Sequence, residues 1–129
     1  MTDRPTFAKQ AEKTFAAFSR QIAEAPHALP AMLSALDFHL GAPKQIVIAG
    51  APDAPDTRAL LRAVHARFLP NRVLLFADGG EGQRALARHA GFIAGMRPVR
   101  GAAAAYICEH GACQAPVTDP AALDEHLHR

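Results

Sequence analysis

The sequence predicts an α/β fold: a small parallel or mixed sheet with flanking helices, preceded by an N-terminal helical hairpin. Three observations carry this expectation. Gln45–Ala49 and Val73–Phe76 are short apolar runs without polar alternation, the pattern of strands buried on both faces. The stretch between them has helical periodicity, so the two strands are expected to run parallel with a right-handed crossover. The first forty residues place their apolar side chains at helix spacing rather than strand spacing. With 129 residues, 50% hydrophobic and 20% charged, the chain is expected to form one domain over 1–129, made of a hairpin (1–41) and an α/β module (44–129).

Taken in order, Phe7, Ala11, Phe15, Phe18 and Ile22 form one stripe of a first helix, with Lys9, Glu12, Lys13 and Arg20 on its other faces. Pro26 breaks it and Pro30 suits the first turn of a second helix, whose stripe is Leu29, Met32, Leu33, Leu36 and Leu40. Gly41 is expected to close that helix as its C′ residue. After the strand Gln45–Ala49 comes the turn-rich loop 50–56, then a helix over Thr57–Phe68 with Asp53 or Asp56 as N-cap. Its core stripe is Leu60, Leu61, Val64 and Phe68, while Arg58, Arg62 and His65 face water. Val73–Phe76 is the second strand, Asp78-Gly-Gly80 turns the chain, and Glu81–Ala90 makes a weaker helix carrying Leu86.

Residues 92–101 read as a connection. Ala103–Cys108 is apolar and alanine-rich, which favours helix, but Tyr106, Ile107, Cys108 and the Glu-His-Gly turn after them favour a strand entering a hairpin, and a strand is expected. Cys113–Ala115 is the return arm and Pro116 stops it. Asp119 as N-cap and Pro120 at the first helical position open a last helix bearing Leu123 and Leu127.

Composition removes several function classes. Fourteen Lys and Arg against twelve Asp and Glu leave a net charge of +2 without a basic block, so neither nucleic acid nor a membrane surface is an expected partner. No apolar run has the length of a membrane span and the first ten residues lack the apolar core of a secretory signal; the expected location is the cytoplasm. The loops after the two strands, with Gly50, Asp53, Asp78 and Gly79, are the candidate ligand loop, because strand carboxyl ends and helix starts converge there. They carry no Gly-rich phosphate fingerprint, and Pro52 and Pro55 remove amide donors. No nucleophile elbow, catalytic residue or cofactor motif is present, and the chain alone leans away from being an enzyme.

Cys108 and Cys113 are the most specific local feature. Four intervening residues including Gly111 allow the two to face each other across a hairpin, and the spacing is not that of a C-x-x-C dithiol site. Three readings stand: two reduced structural thiols, a disulfide or reversible redox pair, or a zinc set completed by His110 with His126 or His128. Reduced structural thiols are the expectation in a reducing cytoplasm, with no metal.

The segments Ile46-Val-Ile-Ala-Gly50, Phe68-Leu-Pro-Asn71, Ala105-Tyr-Ile-Cys108 and Cys113-Gln-Ala-Pro-Val-Thr-Asp119 together resemble the end of the thioredoxin-domain-containing, spermatogenesis-associated protein family and its bacterial relatives. The resemblance implies a long parent architecture: an N-terminal thioredoxin-like domain, an (α/α)6 barrel of six-hairpin glycosidase type similar to N-acylglucosamine 2-epimerase, and a small α/β end. This chain has neither C-x-x-C nor the six helical hairpins of the barrel, so no catalytic residue carries over. The expected function is a structural or interaction module whose hairpin packs on the remaining domains of a longer chain or on a second copy as a homodimer. Its rivals are a thiol redox element at Cys108 and Cys113 and a small-ligand binder at the strand ends.

Overall fold

The computed structural model describes residues 5–41, 43–109 and 111–128. The chain divides into two compact units, Met1–Ala42 and Pro43–Arg129.

The first unit is helical: α1 (Pro5–Ala17), α2 (Ser19–Glu24), a 3-10 turn at Pro26–Ala28, and α3 (Pro30–Leu40). The single first helix expected from the apolar stripe is interrupted at Phe18. There the Ser19 hydroxyl donates to the Ala16 carbonyl at 2.8 Å, a back-bond that competes with regular helix geometry. Helical bonds flank the break, from Phe18 N–H to Thr14 O and from Ile22 N–H to Phe18 O, so the axis is disturbed rather than ended. Pro30 opens α3 as expected. Gly41 does not act as a left-handed C′ residue: it is extended, with φ −77° and ψ 177°. α1 meets α3 through the Phe15 and His39 rings, 5.4 Å apart, and through Glu12 and His39. None of these helices contains a buried residue.

The second unit is an α/β module. Its sheet runs β2 (Arg72–Ala77), β1 (Lys44–Ala49), β3 (Ala104–Glu109), β4 (Ala112–Cys113) across. β1 pairs parallel with β2, in register from Lys44↔Arg72 to Ala49↔Ala77, and antiparallel with β3, from Gln45↔Cys108 to Ala49↔Ala104. The sheet is therefore mixed, and the parallel pair and the strand at Ala103–Cys108 match expectation. β2 does not: it lies at the sheet edge with one neighbour, and only Ala77 in it is buried.

β1 is the central strand, with Ile46, Val47, Ile48 and Ala49 fully buried. Because strand side chains alternate, these four feed two cores. Ile46 and Ile48 pack with Ala105 and Ile107 beneath Leu60 and Val64 of α4 (Pro55–His65) and Leu123 and Leu127 of α6 (Pro120–Leu127). Val47 and Ala49 pack on the other face with Ala77, Ile93, Met96 and Cys108, beside Ala87 of α5 (Glu81–Ala87) and the 3-10 segment Gly91–Gly95. The module thus has three layers.

Three local expectations change. α4 ends at His65, so Phe68 falls beyond it and is 91% exposed instead of in the core. Arg58, Arg62 and His65 face water as expected. Neither Asp53 nor Asp56 caps α4; Ala54 holds that position, Pro55 starts the helix, and Asp56 lies within the first turn. α5 stops at Ala87, and its buried residue is Gln83, not Leu86. The last helix forms as read: the Asp119 carboxylate accepts from Ala122 N–H at 2.8 Å, and Pro120 is at the first position. Arg67, just past α4, grips Asp124 of α6 through two guanidinium nitrogens.

Leu123 is fully buried between α6, α4 and the sheet. Leu123→Ala should therefore lower unfolding free energy by about 2–5 kcal/mol, whereas Phe68→Ala should change it by less than about 0.5 kcal/mol. Urea unfolding followed by circular dichroism checks both.

Candidate functional site

The parallel strands β1 and β2 bring two turns to one end of the sheet, and they differ sharply. At the end of β1, Gly50 is buried and donates its N–H to Ala77 O. A Cβ there would lie 2.3 Å from Thr57 Oγ1 and 3.0 Å from the Ala103 Cβ. Gly50 is thus a packing glycine that lets β1 turn tightly against α4, with no room for a side chain at that position. Thr57 itself is buried with its hydroxyl unpaired among the described residues. Asp53 is exposed and pairs with Arg58 at 2.9 Å. Asp56 bridges two elements: one carboxylate oxygen accepts from its neighbour Thr57 N–H at 2.8 Å and the other from Ala103 N–H at 2.7 Å, ahead of β3.

At the end of β2 the chain opens a cavity of about 460 Å³, lined by Gly79, Gly80, Gln83, Arg84, Ala87, Ala94, Arg97 and Pro98. Gln83 organises its walls. Its carbonyl oxygen accepts from Gly79 N–H at 2.7 Å, and its amide nitrogen donates to Ile93 O at 2.8 Å and Met96 O at 3.0 Å. One buried amide therefore ties the β2 turn, α5 and the 3-10 segment together. Gly79 permits the turn with φ +74°, and the Asp78 carboxylate folds back onto Gly80 N–H at 2.7 Å. On the far side, the Tyr106 hydroxyl donates to Arg97 O at 2.7 Å and accepts from Arg97 N–H at 3.4 Å.

Of the four residues proposed for a ligand loop, the structure places only Gly79 on a cavity; Gly50 is packed shut, Asp53 is in a surface ion pair, and Asp78 is used by its own turn. Gln83, Arg84 and Arg97 were missed. Gln83 occupies the third position of α5, where a Gln or Glu commonly reaches back toward the helix start, and that position is the signal that would have found it. Arg97 has no such local mark, since what places it is the nonlocal contact with Tyr106.

Cys108 and Cys113 sit directly opposite in the β3–β4 register, with Cα atoms 3.9 Å apart. The expected cross-hairpin pairing holds, and the tight turn brings the sulfurs face to face, joined as a disulfide where reduced thiols were expected. Cys108 is buried against the second core and Cys113 is exposed. The zinc alternative is not assembled: His126 Nδ1 contacts Gln114 Oε1 at 2.8 Å, His128 lies 3.8 Å from Asp124, and His110 lies outside the described residues. Among the described residues no group of three or more His, Cys, Asp or Glu could hold a metal ion, and no helix is long and apolar enough to cross a membrane.

Fold and site together define a small three-layer α/β module with a mixed four-stranded sheet and a cavity at the end of its edge strand. The chain is 44% identical over 113 residues to Spermatogenesis-associated protein 20 of Rattus norvegicus, and 43% identical to the proteins of that name of Homo sapiens, over 112 residues, and Mus musculus, over 113. The similarity takes in 87–88% of this chain but only 14% of each relative, so the chain spans a small part of the length of the curated relatives it matches. No family model matches the chain, and no solved structure matches it.

Two carboxylates give the module an acid dependence. The Ala103 N–H and then the Thr57 N–H hold the Asp56 carboxyl below its ordinary value of 3.8. The Arg67 hydrogen bonds, helped by the Arg67 and His128 charges and partly opposed by burial, do the same for Asp124. A depressed folded-state value means that the unfolded chain takes up these protons first. The stabilisation is complete above the ordinary value and is lost as pH falls through the depressed one. Urea midpoints should hold near neutral pH and fall below about pH 4. Asp56→Asn and Asp124→Asn should each show a lower midpoint at neutral pH and a shallower fall over the acid range.

Proposed function

We propose that the chain is a non-enzymatic interaction module at the C-terminal end of a longer protein, its α/β unit forming a self-contained body and α1–α3 packing against the rest of that protein. One observation carries the reading. The helices of the first unit bear apolar stripes, yet none of their residues is buried, and Phe18 and Leu40 are 40% and 75% exposed. Apolar helical stripes of this kind are normally covered by another element. The match to only 14% of each relative's length supports the existence of such covering surface in a longer chain. A helical barrel, which the family resemblance implies for the parent architecture, would accept these helices by ordinary ridge-in-groove packing.

Hydrogen exchange tests this. In the isolated chain the amides of α1–α3 should exchange far faster than those of β1 and β3. In a longer homologous protein that contains the segment, the corresponding helical amides should be protected. Equal, strong protection in an isolated chain that sediments as a monomer would overturn the reading, and protection that appears only with concentration would replace the longer chain by a second copy.

A further inference from the structure

We propose that the cavity at the end of β2 binds a small organic anion through the guanidinium groups of Arg84 and Arg97, with Ala87, Ala94 and Pro98 receiving its apolar body. The inference stands independently of what covers α1–α3, since every residue in it belongs to the α/β unit.

Three features of the cavity point this way. Its volume of about 460 Å³ falls within the range of small-molecule sites and exceeds what a bare inorganic ion needs. Its walls are fixed before any ligand arrives. Gln83 joins the β2 turn to the 3-10 segment, Tyr106 holds the Arg97 backbone from β3, and Pro98 restricts the chain next to it. A site whose walls are already ordered loses less free energy on binding.

The third feature is charge. Two arginines line the cavity and no carboxylate does, and among the described residues neither Arg84 nor Arg97 forms an ion pair. Arg67 and Arg58 elsewhere in the module do have carboxylate partners. The acids nearest in sequence are Asp78, turned onto Gly80 N–H, and Glu81, which is exposed and is not part of the cavity lining. Each guanidinium offers a planar fork of donors suited to carboxylate or phosphate oxygens, the chemistry that would complete this site.

The test is a titration of the isotope-labelled chain, followed by amide chemical shifts, with phenyl phosphate, benzoate, inorganic phosphate and phenol as probes. Phenyl phosphate or benzoate should shift the amides of residues 79–84 and 94–97 saturably. Phenol, which has the ring without the charge, and inorganic phosphate, which has the charge without the ring, should bind about tenfold more weakly or worse. Preference for phenyl phosphate would identify a phosphate ester as the ligand class, and preference for benzoate a carboxylate. Arg84→Gln and Arg97→Gln should each weaken binding about tenfold or more, while Arg88→Gln, outside the cavity on the segment following α5, should not. Both arginines are exposed, so the variants keep the core, and unchanged shifts elsewhere confirm it. Phenol binding as well as the anions, no saturable shifts with either organic anion, or arginine variants that bind like the parent chain would overturn the proposal.

Discussion

β1 sets the terms for everything else in the α/β unit. Its four residues Ile46–Ala49 are without solvent contact, and because they alternate between faces, the sheet must be covered on both sides. α4 and α6 supply one cover. The other is smaller: one short helix, α5, and a 3-10 segment. Short elements of this kind bring little helical stability of their own and depend on tertiary contacts. On the second face, polar clamps supplement a smaller apolar core. The buried Gln83 amide and the Tyr106 hydroxyl hold the thin layer in place, and the cavity lies where that layer meets the end of β2.

The same logic separates the two turns at the carboxyl ends of β1 and β2. After β1 the chain passes beneath a long helix packed against the main core, and Gly50 is pressed against Thr57 with Asp56 bonded across to Ala103. After β2 it enters the thin layer, where there is less side-chain volume to fill the space. An edge strand next to a shallow cover leaves room for a site; a central strand under a full helix does not. The disulfide lies farther along the same face as the thin layer, joining the short β4 to β3, and Cys108 contributes its buried side chain to that core.

Much of the fold was legible because it is written in local periodicity. The β-branched run at Ile46–Ile48, the stripe Leu60 and Val64, and the Asp119-Pro120 start with Leu123 and Leu127 each state their own structure and their own burial. What was not legible depended on position in the sheet. Val73–Phe76 looks as buried as β1 in sequence, and only the strand order makes it an edge. Phe68 reads as one more turn of an apolar stripe, but the helix ends at His65, ahead of Pro70, and the ring goes to solvent. The candidate site was less legible than the fold. Acidic and glycine residues in the loops attracted attention, while the residues that shape the cavity, Gln83, Arg84 and Arg97, are ordinary surface types that acquire meaning through contacts between 83 and 96 and between 97 and 106.

The α/β unit is a three-layer body, the helices of the first unit contain no fully buried residue, and the curated relatives are many times the length of this chain. The α/β unit has two cores around β1, and paired truncations on opposite faces measure this directly. Ile48→Ala opens the α4–α6 side and Val47→Ala the α5 side. Unfolding free energies of the two variants in the full chain should fall by about 2–5 kcal/mol for Ile48→Ala and by more than about 1 kcal/mol for Val47→Ala. A loss within about 0.5 kcal/mol for Val47→Ala, the range of a surface substitution, would mean that the second face is not a core and would contradict the account.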